Sequence, residues 1–149
     1  MLVLPAVAAD FDSIDPPFGQ ELATLDNSDY FVKYMEKGPV SYYNYIGPRQ
    51  KDPIYEHSSP HMVYAFVEGK LYARIVRNWG NEKSEILSHL KETFGEPSKS
   101  YEEDIWSIFQ WDALKGKDIT FKLKFNNQTK EVKTAHYYNP LRKVAGSVE

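Results

Sequence analysis

Glu56-His57-Ser58-Ser59-Pro60-His61 places two imidazoles and a carboxylate within six positions, and these are ligand types that zinc accepts. Glu56, His57 and His61 are therefore the candidate metal ligands, with Asp52 close enough in sequence to add a fourth. The histidine spacing would suit a helix, where both rings share a face. Pro60 stands directly before the second histidine and resists a helix through that point. The plainer expectation is a solvated loop that enters a strand at His61. His136 lies beside Tyr137 and Tyr138. If Val132 faces the core, a period of two turns His136 inward as well. It is then either a general base or a half-buried ring with one satisfied nitrogen. Glu102, Glu103 and Asp104 form an acidic trio. Paired carboxylates do acid–base and metal chemistry, but three in succession on an extended chain cannot point the same way. Ser58, Ser59 and the other serines lack a Gly-x-Ser-x-Gly context, which the nucleophile elbow requires. No residue is assigned a catalytic role.

The densest charge is basic. Between Lys115 and Lys143 stand eight basic residues against two acidic ones, Asp118 and Glu131. Lys122 and Lys124 share the outward face of one candidate strand, and Lys130 and Lys133 lie on or near the next. Such a strip could hold an anion: a nucleic acid, a lipopolysaccharide phosphate or an acidic partner. The opposing consideration is that exposed strands carry lysine to block edge-to-edge aggregation. The interleaved Phe121 and Phe125 point the other way, toward the core, so they offer no stacking platform of the kind single-strand binders use. With a formal net charge of −3 for the whole chain, nucleic acid is not the expected partner.

The elements that must position these residues follow from pattern. Residues 10–27 read as irregular, with Asp15-Pro16-Pro17-Phe18-Gly19 dense in turn formers. A helix is expected near residues 29–37, capped by Asn27 or Ser28, with Tyr30, Phe31, Tyr34 and Met35 on one face and Gly38-Pro39 at its end. Val40–Ile46 reads as a strand. Met62–Val67 and Leu71–Val76 flank Glu68-Gly69-Lys70 as a hairpin. Asn81–Phe94 is the clearest helix, with Asn81 as its cap, Ile86, Leu87, Leu90 and Phe94 as its apolar stripe and Gly95 as its stop. Ile105–Trp111 is a further strand. Ile119–Phe125 alternates cleanly, Asn126-Asn127-Gln128 turns, and Glu131–Tyr138 returns antiparallel until Pro140. The pattern predicts an α+β fold: an antiparallel, curved β-sheet of five to six strands built from β-hairpins, with two amphipathic helices packed on one face. No Gly-rich phosphate loop or βαβ series is present.

The run Phe66-Val-Glu-Gly-Lys-Leu71, the helix ending Phe94-Gly95-Glu96-Pro97 and the Trp-rich strand after it together resemble, in outline, small bacterial exported proteins of unknown function. The likeness covers roughly residues 60–125 and implies no functional residue. Export is also the expectation from Leu2–Ala9, an apolar run ending in a small-x-small pattern. Residues 1–9 are thus a signal-peptide remnant or an apolar arm, 10–143 a single α+β domain and 144–149 a tail, and the expected location is periplasmic or secreted, with the cytoplasm as the alternative. The chain has 149 residues and no cysteine, which excludes disulfides and thiol chemistry. No apolar run approaches the ~18 residues of a membrane-spanning helix. Aromatic residues make up 15% of the chain, a bias that favours sheet. The expected function is a non-catalytic binding or assembly module of the bacterial cell envelope, with an unknown protein or small-molecule partner and no cofactor. The alternatives are a small metal- or His-dependent hydrolase and an anionic-polymer binder acting through the lysine strip.

Overall fold

The computed structural model describes residues 17–25, 28–47, 61–80 and 82–146, with Lys115 as backbone only. Its eight strands are β1 (Phe31–Lys37), β2 (Val40–Tyr45), β3 (His61–Val67), β4 (Lys70–Trp79), β5 (Lys99–Glu103), β6 (Trp106–Trp111), β7 (Ile119–Asn126) and β8 (Glu131–Tyr138). Two helices accompany them, α1 (Lys83–Phe94) and the short α2 (Asn139–Ala145). All strands join one antiparallel sheet in the order β1-β2-β3-β4-β8-β7-β6-β5. The sheet is two four-stranded meanders whose last strands, β4 and β8, pair with each other.

The molecule is therefore mostly β, and the expectation of five to six strands with two helices on one face is wrong in three places. Residues 31–37 are a strand, not a helix. Lys37 pairs with Val40 across Gly38-Pro39, and Gly38 takes the positive φ of 59° that a two-residue hairpin turn needs. The Gly-Pro pair that ends a helix serves a hairpin equally well. A bulge between Lys33 and Met35 breaks the two-residue period that would have marked the strand. Residues 99–103 form an edge strand with every residue exposed, so no apolar alternation announces it. Pro140 does not merely end β8; it sits in the first turn of α2, where its missing N–H costs nothing. Val144 and Ala145, assigned to a tail, belong to this helix.

Directly opposed residues of an antiparallel pair share a face, so the register sorts the side chains. One face, here face A, carries Phe31, Tyr64, Phe66, Leu71 and Val76 in one half and Trp111, Phe121, Leu123, Phe125 and Val132 in the other. Leu22 and Leu25 cover the first half, Ile86 and Leu90 of α1 cover the second, and Phe18 touches both clusters. Each such side chain contributes about 1.5–3 kcal/mol on burial. Face B carries Val40, Tyr42, Val63, Ala65, Ala73, Ile75, Ala135 and Tyr137 and receives Leu141 and Ala145 of α2. The two helices thus lie on opposite faces, because α1 presents Ile86 and Leu90 to face A while α2 turns directly out of β8 onto face B. Asn139 Oδ1 there accepts a hydrogen bond from Thr120 Oγ1 at 2.9 Å.

Helix α2 covers one end of face B, and the other end is open. A cavity of about 350 Å³ at the open end is lined by Tyr34 and Met35 of β1 and also by Trp106 of β6. Those strands are six spacings apart, about 29 Å along a flat sheet. The sheet curls around face B, which makes that face a groove. Among the described residues no helix is long and apolar enough to cross a membrane. The segment 1–9, Glu56, His57, Asn27 and Asn81 lie outside the described residues.

Candidate anion-binding site

The groove holds a row of cations. Lys124 of β7 stands directly opposite Lys133 of β8, and Lys133 directly opposite Arg77 of β4. The next position across, on β3, is His61. Four basic side chains thus occupy consecutive strands in one register line, about 14 Å from end to end. Like charges directly opposed across strands destabilise a sheet, and here two such oppositions are adjacent.

Lys133 bears the crowding. Burial lowers its amine pKa below the ordinary lysine value, and Lys124 and Arg77 lower it further; Glu131 pulls the other way, and Lys122 adds to the depression. Glu131 is itself engaged: Arg77 Nε donates to its Oε1 at 2.5 Å. Among the described residues neither Lys124 nor Lys133 forms an ion pair. Lys124 instead lies over the Trp106 ring, 5.6 Å from its centroid, and Lys122 over Tyr137 at 5.5 Å. Positive charge is therefore in excess at the groove.

Of the four lysines named from the sequence, the fold brings together Lys122, Lys124 and Lys133. Lys130 departs. It occupies the β7–β8 turn with φ 66°, hydrogen-bonds the Asn127 carbonyl at 3.3 Å and lies 5.8 Å from the Phe125 ring, which belongs to face A. Arg77 was missed. The apolar alternation of β4 ends at Val76, one residue short, and pairing β4 to β8 is a long-range event. Of the metal candidates, only His61 is described. It opens β3 with Nε2 at 2.6 Å from Asn44 Oδ1. Among the described residues no three His, Cys, Asp or Glu side chains converge as metal ligands would.

Two other polar clusters lie outside the groove. On face A, Arg74 and His136 are directly opposed at the centre of the sheet and are only 1% and 3% exposed. Burial, then Arg74, pushes the His136 imidazole well below its usual pKa. Both its ring nitrogens lack a hydrogen-bond partner among the described residues, and its ring meets Phe121 edge-on at 4.7 Å. A neutral ring sealed among core side chains is poorly placed to meet a substrate proton. Near α1, Ser107 Oγ donates to Glu102 at 2.9 Å and accepts from Lys83 Nζ at 3.2 Å and Asn127 Nδ2 at 3.0 Å. This resembles a nucleophile with a lysine beside it, but the hydroxyl is 1% exposed and saturated. Its role is to tie α1 to the β5–β6 hairpin, and it accounts for Glu102 of the acidic trio.

No protein-family model matches the chain, and no curated protein or solved structure matches it. The groove lining is made of Tyr, Met, Val, Ile, Trp, Lys, Arg and one engaged Glu.

Proposed function

We propose that the protein is a non-catalytic binding module whose ligand carries a negative charge held in the face B groove. The observation that carries this is the uninterrupted line Lys124–Lys133–Arg77 across β7, β8 and β4. A fold that served stability alone would alternate these charges or leave one neutral. An anion between them offsets the repulsion and favours the protonated form of Lys133. The protein's own net charge of −3 makes the positive groove local, so the ligand is recognised at a site and not by the overall field.

The test is a titration of the full chain with inorganic phosphate, followed by backbone amide NMR. Saturable shifts concentrated at Arg77, Lys124 and Lys133 are expected, with loss in Lys124→Glu/Lys133→Glu and weakening as sodium chloride rises. Shifts that never saturate, or that scatter over all exposed lysines, would refute the proposal.

A further inference from the structure

We infer that the anion is amphiphilic: a small molecule with one acidic head group and an apolar body laid against β1. The inference rests on the anion-binding proposal and adds to it the class of ligand. The cavity lining divides by chemistry. Arg77, Lys133 and Lys37 supply charge, whereas Tyr34, Met35, Tyr42, Val63, Ile75 and Trp106 are apolar or aromatic. The division is ordered in space. Ile75 precedes Arg77 by two residues on the same face of β4 and is paired with Val63 on β3, so the apolar floor starts one strand step from the cations.

The wall is built by a backbone device. Consecutive residues of a regular strand point to opposite faces, yet Tyr34 and Met35 both line the groove. The bulge between Lys33 and Met35 allows this; re-aiming a side chain is a usual consequence of a bulge. Tyr34 and Met35 are left 48% and 42% exposed, with Val32 beside them at 46%. Burial nonetheless raises the Tyr34 phenol pKa, and Arg77 opposes that rise, which places the phenol within electrostatic reach of the cation row. An inorganic ion has no use for such a wall. A polyanion needs a continuous basic track, which α2 closes at one end of face B and Glu131 interrupts at the other. A cavity of about 350 Å³ lies in the size range of small-molecule sites. Positive charge beside an apolar wall is complementary to an acid with a hydrocarbon body.

The experiment titrates the full chain with sodium octanoate, sodium acetate, 1-octanol and inorganic phosphate, all below micellar concentrations, read by amide NMR. Octanoate is expected to bind at least tenfold more tightly than acetate or 1-octanol. Tyr34→Gln/Met35→Gln, which adds no charge beside the cation row, is expected to bring octanoate to the level of acetate while leaving the phosphate shifts at Lys124 and Lys133 in place. Tyr34→Ser/Met35→Ser serves if that variant fails to fold by circular dichroism. If octanoate binds no better than acetate while phosphate still saturates, the amphiphile inference falls and the anion-binding proposal stands. If 1-octanol binds as tightly as octanoate, the head group plays no part and the amphiphile inference falls. If phosphate also fails to saturate, the anion-binding proposal falls with it.

Discussion

Replacing Lys133 by Met should make the protein more stable. The methionine keeps an unbranched stem of comparable length, so the packing of the half-buried aliphatic portion survives while the charge goes. Lys133 opposes Lys124 on one side and Arg77 on the other, and each like-charge opposition costs about 0.2–1 kcal/mol. Its attraction to Glu131, already shared with Arg77, returns an amount of the same order. The substitution removes two repulsions and one attraction and relieves the burial of an ammonium, for a net gain of about 0.5 kcal/mol. With a urea m-value of about 2 kcal/mol/M for a small protein, that moves the midpoint by about 0.25 M at constant slope. The measurement is paired urea denaturation of the two proteins in 50 mM and 1 M sodium chloride. The advantage should shrink at high salt, where the Debye length falls to about 3 Å. A second arm uses pH. Because the folded-state pKa of Lys133 lies below its unfolded value, the unfolded chain holds this proton more tightly. The group's contribution therefore improves as pH rises through the folded pKa toward 10.5, and the wild type should recover part of the difference there. A variant that is less stable than the wild type at low salt, or whose advantage grows with salt, would refute the claim that the cation row is a strained arrangement kept for a ligand.

His136 lies on the same strand as Lys133 but on the opposite face of the sheet. Its pKa is depressed by burial and by Arg74, so its contribution is fully present above the unfolded value near 6.5 and is lost as pH falls toward the folded pKa, at up to 1.36 kcal/mol per pH unit. Urea midpoints measured from pH 7.5 to 5 should fall, and His136→Phe should flatten that fall; equal slopes in the two proteins would show that the ring is not buried neutral. Leu90, 1% exposed on α1, anchors the helix to face A, and Leu90→Ala should cost about 2–5 kcal/mol by thermal or urea unfolding; a loss under 1 kcal/mol would mean that α1 is not docked there.

The local elements that were legible are those whose signal is short in range. The alternation of Ile119, Phe121, Leu123 and Phe125 against Lys122 and Lys124 is retained in β7, and Glu68-Gly69 makes the β3–β4 turn with both residues at positive φ. The stripe of α1 and its stop at Gly95 hold as well. Tyr42 and Tyr43, consecutive on β2, fall on opposite sides as the pleat requires, Tyr42 in the face B core and Tyr43 against that of face A. What failed did so for physical reasons. Lys99–Glu103 is exposed along its whole length and its partner β6 supplies the order, so nothing in its own residues marks a strand. Phe31–Lys37 carries apolar residues that suit a helix face, and only pairing with β2 settles its form.

The sequence by itself determined the side-chain inventory: aromatic residues in excess, no cysteine, and Lys122 and Lys124 two apart on one face of a strand. Spacing within a strand is a property of the backbone pleat and needs no partner. The tertiary structure alone decided which charges meet. Arg77 and Lys133 are 56 positions apart, and they became neighbours because the two meanders join through β4 and β8 in one register. The same long-range pairing, by curling the sheet, set Tyr34 and Met35 across a groove from Trp106. Hydrophobic burial on two faces drives that closure, and a site built from six separate strands has no counterpart in linear spacing.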